Sequence, residues 1–274
     1  MMQFACHAWA YNNLPLREAI GTIARLGFRS IDLGTGPHID VMVAARDPEK
    51  YGTAVRRVVE DFNLSVTDLY LLLPHVNSAD PARRESQLLL FRRLIPFAIE
   101  LGTPGITVSP GLLQQDGPEH SLARTVPALQ RIVDATENTD LRISFEPHLD
   151  SSASTPEQAI LLVEAVPGLS LTLDVAHLVA QGITWRNIRM LFEHTAHVQV
   201  RQARRDRLQV PFEKGKLDLE QLMVDLAEAD YHGVVSIEYM TTFGWHGMAE
   251  VNITQEIVKT RDALRDLRLQ VLQE

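Results

Sequence analysis

Apolar residues along this chain fall into two alternating patterns: short runs of strand length, and longer stretches with apolar positions three or four residues apart. The first run is QFACHAW (3–9), and a helix is predicted from Pro15 to Leu26, where Leu16, Ala19, Ile20, Ile23 and Ala24 form one stripe and Gly27 supplies a stop. FRSIDL (28–33) is the second strand, with a helix over 48–63. LSVTDLYLLL (64–73) is the third; the helix after it runs from Asp80 to Leu101, with Pro81 in its first turn and Gly102 just past its end. GITVS (105–109) precedes a helix over 122–137, and LRISFE (141–146) precedes one capped by Ser154 or Thr155 with Pro156 next. LSLTLD (169–174), AHVQV (196–200) and GVVSIEYM (233–240) are the last strands. Their helices are predicted over Trp185 to Glu193, over Asp218 to Ala229, and from near Ala249 onward.

Eight strand–helix pairs in strict alternation, with no linker rich in Pro, Gly or Ser, predict an α/β fold: one (β/α)8 TIM barrel over residues 1–274. A doubly wound open sheet would satisfy the same alternation, but no GxGxxG or P-loop follows the first strand.

Composition narrows the function. The 274 residues are 45% hydrophobic and carry a formal net charge of −9, which argues against a duplex nucleic-acid partner. Cys6 is the only cysteine, so no intrachain disulfide can form and a reducing cytoplasm is expected. The start, MMQFACHAWAY, lacks the basic flank and long apolar stretch of a secretory signal, and no stretch approaches the ~20 apolar residues of a membrane span.

In a parallel barrel the chemistry sits where strands finish. The fifth strand ends ISFEPH and places Glu146, the sixth ends at Asp174, and the eighth ends SIEYM and places Glu238. Three carboxylates at one mouth would repel: at ~6 Å, with an effective dielectric near 20, each pair costs roughly 3 kcal/mol. Protonation or basic side chains would relieve this, and a divalent cation would do so directly. The seventh strand offers His197 and, two residues on and facing the same way, Gln199. Its loop holds Arg201, Gln202, Arg204, Arg205, Arg207, Lys214 and Lys216, either a solvated cationic loop or a recognition site for an anionic substrate. Each acid also has a plainer reading, as a cap for the next helix or the partner of a base.

FEPH, LDVAH, HVQVRQ and GVVSIEYM, in this order and each at a strand end, resemble the xylose isomerase-like TIM barrel superfamily of sugar phosphate isomerases and epimerases. The resemblance implies one divalent cation held by Glu146, Asp174 and Glu238. The family's usual fourth ligand is a histidine where this chain has Gln199, so Gln199 or His197 would complete the set. An amide oxygen favours Mn²⁺ or Mg²⁺ over Co²⁺ or Zn²⁺. It further implies His177 and Arg205 as substrate-binding residues, with Glu146 and Glu238 moving a proton through an enediolate. His7 and Trp9 at the end of the first strand, and His75 after the third, are candidate substrate contacts, with core packing or a solvated loop as the alternatives. His148 and His246 are weaker candidates, and FGWHG is either a lid segment with Trp245 covering the ligand or an ordinary turn marked by its glycines.

The implied function is a metal-dependent isomerase or epimerase of a small sugar or polyhydroxy carbonyl compound, cytoplasmic, with its partner a sugar or sugar-acid substrate rather than nucleic acid or membrane. Homo-oligomerisation is left open. An inosose-type dehydratase on the same scaffold and a non-catalytic sugar-binding barrel are the alternatives. A three-zinc phosphodiesterase related to apurinic endonucleases is disfavoured, because the fourth strand, GITVSPG, has no histidine.

Overall fold

The computed structural model describes residues 2–271. Eight strands close into one parallel barrel in chain order, β1 (Gln3–His7), β2 (Ser30–Gly34), β3 (Ser65–Leu71), β4 (Gly105–Val108), β5 (Arg142–Phe145), β6 (Leu169–Asp174), β7 (Thr195–Val200) and β8 (Val234–Ile237). Closure is completed by β8 pairing with β1, Phe4 opposite Val235 and Cys6 opposite Ile237. The predicted (β/α)8 architecture is therefore the observed one.

Around the barrel lie α1 (Leu16–Arg25), α2 (Val41–Arg46), α3 (Pro48–Glu60), α4 (Pro81–Leu101), α5 (Pro118–Asp134), α6 (Pro156–Ala165), α7 (Val175–Ala180), α8 (Trp185–Arg189), α9 (Leu219–Glu228) and α10 (Ile253–Val271). Among the described residues, no helix is long and apolar enough to cross a membrane.

The alternation along each strand divides two environments. Leu171 and Leu173 on β6, Val198 and Val200 on β7, and Val235 and Ile237 on β8 belong to the apolar core shared with the helices. Their neighbours Thr172, Asp174, His197, Gln199 and Ser236 are also buried, but they face the barrel axis and one another. The inside of this barrel is polar. β6 and β7 pair with Thr172 opposite His197 and Asp174 opposite Gln199, so each step toward the strand ends brings a new polar rung.

Where helix bounds depart from the periodic pattern, local chemistry decides. Two short helices are added, α2 and α7, each started by a side chain that accepts from its first-turn N–H groups: Asp40 from Met42 and Val43, and Asp174 from Ala176. Six residues are too few for a periodic signature. The helix expected over Trp185 to Glu193 stops at Arg189 and resumes as a 3-10 turn at Phe192–His194. α5 begins four residues early because Pro118 suits a first turn, and α10 begins at Ile253 because the Asn252 side chain accepts from Gln255 N–H. β1 ends at His7, whose Nδ1 accepts from Trp9 N–H as a 3-10 turn over Ala8–Tyr11 begins. That turn lays Trp9 across the end of β2, where a Cβ on Gly34 would stand 2.6 Å from the indole; only glycine leaves room.

Candidate active site

A cavity of about 300 Å³ opens at the C-terminal ends of the strands, where barrels of this class carry their chemistry. Glu146, His177, Arg201 and Glu238 form its polar floor, and Trp9, Tyr70, Leu72, Leu112, Met240 and Trp245 are among its walls. Glu146 and Glu238 lie immediately past β5 and β8, and both are buried. The Tyr70 hydroxyl donates to Glu146 Oε2 at 2.6 Å. Asp174, fully buried, uses Oδ1 to cap α7, and its Oδ2 accepts from Arg201 Nη2 at 2.6 Å.

Arg201 follows β7 directly, and its side chain turns inward along the polar rung of that strand. Nη1 donates to the Glu238 carbonyl oxygen at 2.8 Å and lies 3.6 Å from Glu238 Oε1. The guanidinium thus bridges two of the three predicted acids. It is 2% exposed, whereas Arg204, Arg205 and Arg207 of the same loop point to solvent.

His177 lies one turn into α7. Its Nδ1 lies 3.2 Å from Leu149 N and its Nε2 3.3 Å from Arg201 Nη2, and a neutral ring accepts from only one of these two donors. Nε2 stands 3.6 Å from Asp174 Oδ2 and 3.8 Å from Glu146 Oε1, beyond hydrogen-bond reach of either.

Burial governs the charges. Desolvation, with the nearby Asp174 charge added, pushes Glu146 up to about 8, against the hydrogen bond from Tyr70. Glu238 is raised well above the usual carboxylate range by burial, which Arg201 opposes and Asp174 and Glu146 reinforce. Asp174 is raised by burial, again opposed by Arg201. Burial holds His177 well below its ordinary value, with Arg201 acting in the same direction. Glu238 Oε2, Gln199 Oε1 and Arg201 Nε are buried and have no hydrogen-bond partner. Glu238 and Arg201 line the cavity, where such atoms are the natural contacts of a bound ligand.

Glu146, Asp174 and His177 each offer an atom within 4.8 Å of the other two, a spacing that could hold a metal ion. One feature opposes it: the Arg201 guanidinium already bonds Asp174 and lies 3.3 Å from His177 Nε2 in that space. With Arg201 in place the donor set does not fit a divalent ion.

The other sequence candidates divide. Trp9 walls the cavity, its ring 5.1 Å from that of Tyr70, and Trp245 stands at the rim with its ring edge-on to His177. Gln199 lies below the floor, opposite Asp174 and Ser236, and is not part of the wall. His7 is also off the wall: it is fully buried beneath Trp9, and burial brings it down to about 3. His197 is spoken for lower in the barrel, where its Nε2 meets Asp32 at 2.8 Å. Two candidates lie outside this cavity. His75 lines a separate surface hollow with Arg83 and Gln87, because its loop passes outside the mouth toward α4. Arg205 is exposed beside Gly182, because the loop has already turned outward by that point. The inward arginine is Arg201, and its signal was the two-residue period of His197, Gln199 and Arg201. Tyr70 was missed too, although it shares a face of β3 with Asp68. His148 reaches the wall, its Nε2 2.8 Å from Ser109 Oγ, whereas His246 pairs with Asp150 outside it.

No curated protein resembles the chain closely enough in sequence to count as a relative. Among solved structures, a D-allulose 3-epimerase from Methylomonas sp. superposes with a TM-score of 0.76 at 18% identity, covering 97% of this chain and 98% of that one. A D-psicose 3-epimerase from Clostridium cellulolyticum H10, solved with D-tagatose, gives 0.78 at 14% identity, covering 97% and 99%. A probable 3-DHS dehydratase from Bacillus anthracis gives 0.71 at 16% identity, covering 96% and 99%. At these identities the likeness is one of fold. The family model for the xylose isomerase-like TIM barrel matches residues 20–266, and the chain belongs to that family.

Proposed function

We propose that this protein is an isomerase or epimerase of a small sugar or polyhydroxy carbonyl compound, working by proton transfer between Glu146 and Glu238. The observation that carries the reading is that two buried acids, just past β5 and β8, face one cavity that also presents an unpaired Arg201 N–H. One carboxylate takes the proton from the carbon next to the substrate carbonyl. The C–H pair becomes the C=C bond of an enediolate, and the carbonyl π pair moves onto oxygen. The other acid returns a proton to the opposite face of that carbon, giving the epimer, or to the neighbouring carbon, giving the isomer.

Several features support this reading. A carboxyl brought to about 8 is well matched to giving and taking protons near neutral pH. His177 lines the cavity beside both acids, within reach of a bound substrate oxygen. Trp9, Tyr70 and Trp245 offer flat apolar faces to the C–H side of a sugar. The epimerases named above act on ketohexoses in a barrel of the same topology. The divalent ion expected from the resemblance has no step in this scheme, because the site does not fit one with Arg201 in place.

The test is uptake of solvent deuterium into a panel of ketoses, sugar acids and inososes. Exchange that disappears in Glu146→Gln and in Glu238→Gln supports the assignment; an unchanged rate in both removes it. Loss of water from a substrate in the same assay would mark the dehydratase, which shares the first proton abstraction.

A further inference from the structure

We propose that Arg201 is the permanent cation of this site, its guanidinium standing where the family resemblance would put a divalent metal. Asp174 and Glu238, two of the acids a metal would need, are instead joined by its Nη2 and Nη1. Gln199 occupies the strand position where the resemblance expects an imidazole ligand; it has an amide oxygen in place of a ring nitrogen and lies below the cavity floor, outside its lining. The same guanidinium lies 3.3 Å from His177 Nε2. The strand thus lacks the expected imidazole, and a guanidinium supplies a positive charge among the acids.

The guanidinium is suited to the place. It stays charged at every working pH, it is tethered at the end of β7, and it is fixed by a carboxylate on one side and a main-chain oxygen on the other. Of its five N–H groups, Nη1 meets the Glu238 carbonyl, Nη2 meets Asp174 and His177, and Nε–H is among those without a partner. Arg201 lines the cavity. Resting on the proton-transfer reading above, those remaining donors face the oxygen on which enediolate charge develops, and they stabilise it as fixed dipoles and one full charge.

The experiment separates this claim from the enzymatic one. Protein dialysed against a chelator is titrated with Mn²⁺ while bound metal and melting temperature are followed. The wild type is expected to retain no metal and to show no shift in melting temperature. Retention of one equivalent, with a rise of roughly 5 °C at a hundredfold excess over the dissociation constant, overturns the proposal. Folded Arg201→Ala, with Asp174 and Glu238 released, is expected to gain a Mn²⁺-dependent rise that the wild type lacks. A folded variant that gains none overturns the claim that the guanidinium holds a metal's place, and if the variant does not fold the wild-type titration decides alone. Deuterium exchange by the wild type is expected to survive chelation unchanged, and exchange abolished by the chelator and restored by Mn²⁺ overturns the proposal. If no substrate exchanges with or without Mn²⁺, the enzymatic reading fails while the metal measurements still decide the role of Arg201.

Discussion

Two polar layers cross the inside of this barrel, and they treat their acids differently. In the lower one both oxygens of Asp32 have donors, Thr67 Oγ1 at 2.6 Å and His197 Nε2 at 2.8 Å. Both oxygens of Asp68 are matched as well, by Arg142 Nη2 at 3.0 Å and Thr107 Oγ1 at 2.5 Å. At the mouth, Glu238 Oε2 and Arg201 Nε have no partner, and Arg201 Nη1 stands 3.6 Å from Glu238 Oε1. Burial is nearly complete in both layers, so exposure does not separate them. Matching does. Matched acids hold the barrel together from inside, whereas Glu238 Oε2 and Arg201 Nε at the mouth are left for a ligand.

The comparison can be broken at either end. The largest effect is expected at the mouth: Glu146→Gln and Glu238→Gln each lower deuterium exchange by about 10²- to 10⁴-fold. Because both acids are already penalised by burial, the melting temperature of each variant stays at or above the wild-type value. A fall in stability matching the loss of rate would assign these acids to the scaffold.

In the lower layer the order reverses. Asp32→Ala leaves His197 buried without its counter-charge and should destabilise the fold by about 3–5 kcal/mol in chemical denaturation. The pH dependence carries a sign. Burial raises Asp32, but the charge and hydrogen bond of His197 more than offset it and hold it at about 2. Burial lowers His197, and Asp32 more than offsets that, leaving it above its ordinary value. The Asp32 contribution is present above its unfolded value of ~3.8 and is lost as pH falls toward 2. The His197 contribution is present below ~6.5 and is lost as pH rises through its folded value. The melting-temperature gap between wild type and His197→Gln should therefore be widest near pH 5 and narrow by pH 8; a gap that is constant across this range contradicts the ion pair.

Smaller effects sharpen the outline of the site. Trp245, 41% exposed at the rim and edge-on to His177, should matter for holding substrate, so Trp245→Ala is expected to raise KM by roughly three- to tenfold with kcat nearly unchanged. His75→Ala and Arg205→Ala lie outside the mouth and should change exchange and melting temperature by less than about twofold and about 1 °C. A larger loss at Arg205 would mean that its loop folds over the cavity when substrate binds.

The eight strands and the long helices were legible because their signals are local: a two-residue period with punctuation for β6 and β7, a stripe with Pro and Gly at the ends for α4. Glu146, Asp174 and Glu238 were legible for a related reason, since a parallel barrel carries the end of every strand to one face. Short α2 and α7 were not, because six residues make no periodic pattern and their starts depend on one capping carboxylate each.

The period of β7 also settled that His197, Gln199 and Arg201 share a side. It could not settle where the guanidinium goes. A long side chain at a strand end can reach solvent, as Arg204 and Arg205 do, or fold back into the mouth, and the choice lies with acids far away in the chain. Asp174 is 27 residues before Arg201 and Glu238 is 37 after it. Only closure of the barrel brings both within reach, and only then does desolvation make an inward positive charge worth more than a hydrated one. The same closure splits the ionisable residues into a matched layer and an open one. Sequence determined which groups face the axis; the tertiary structure decided which of them meet.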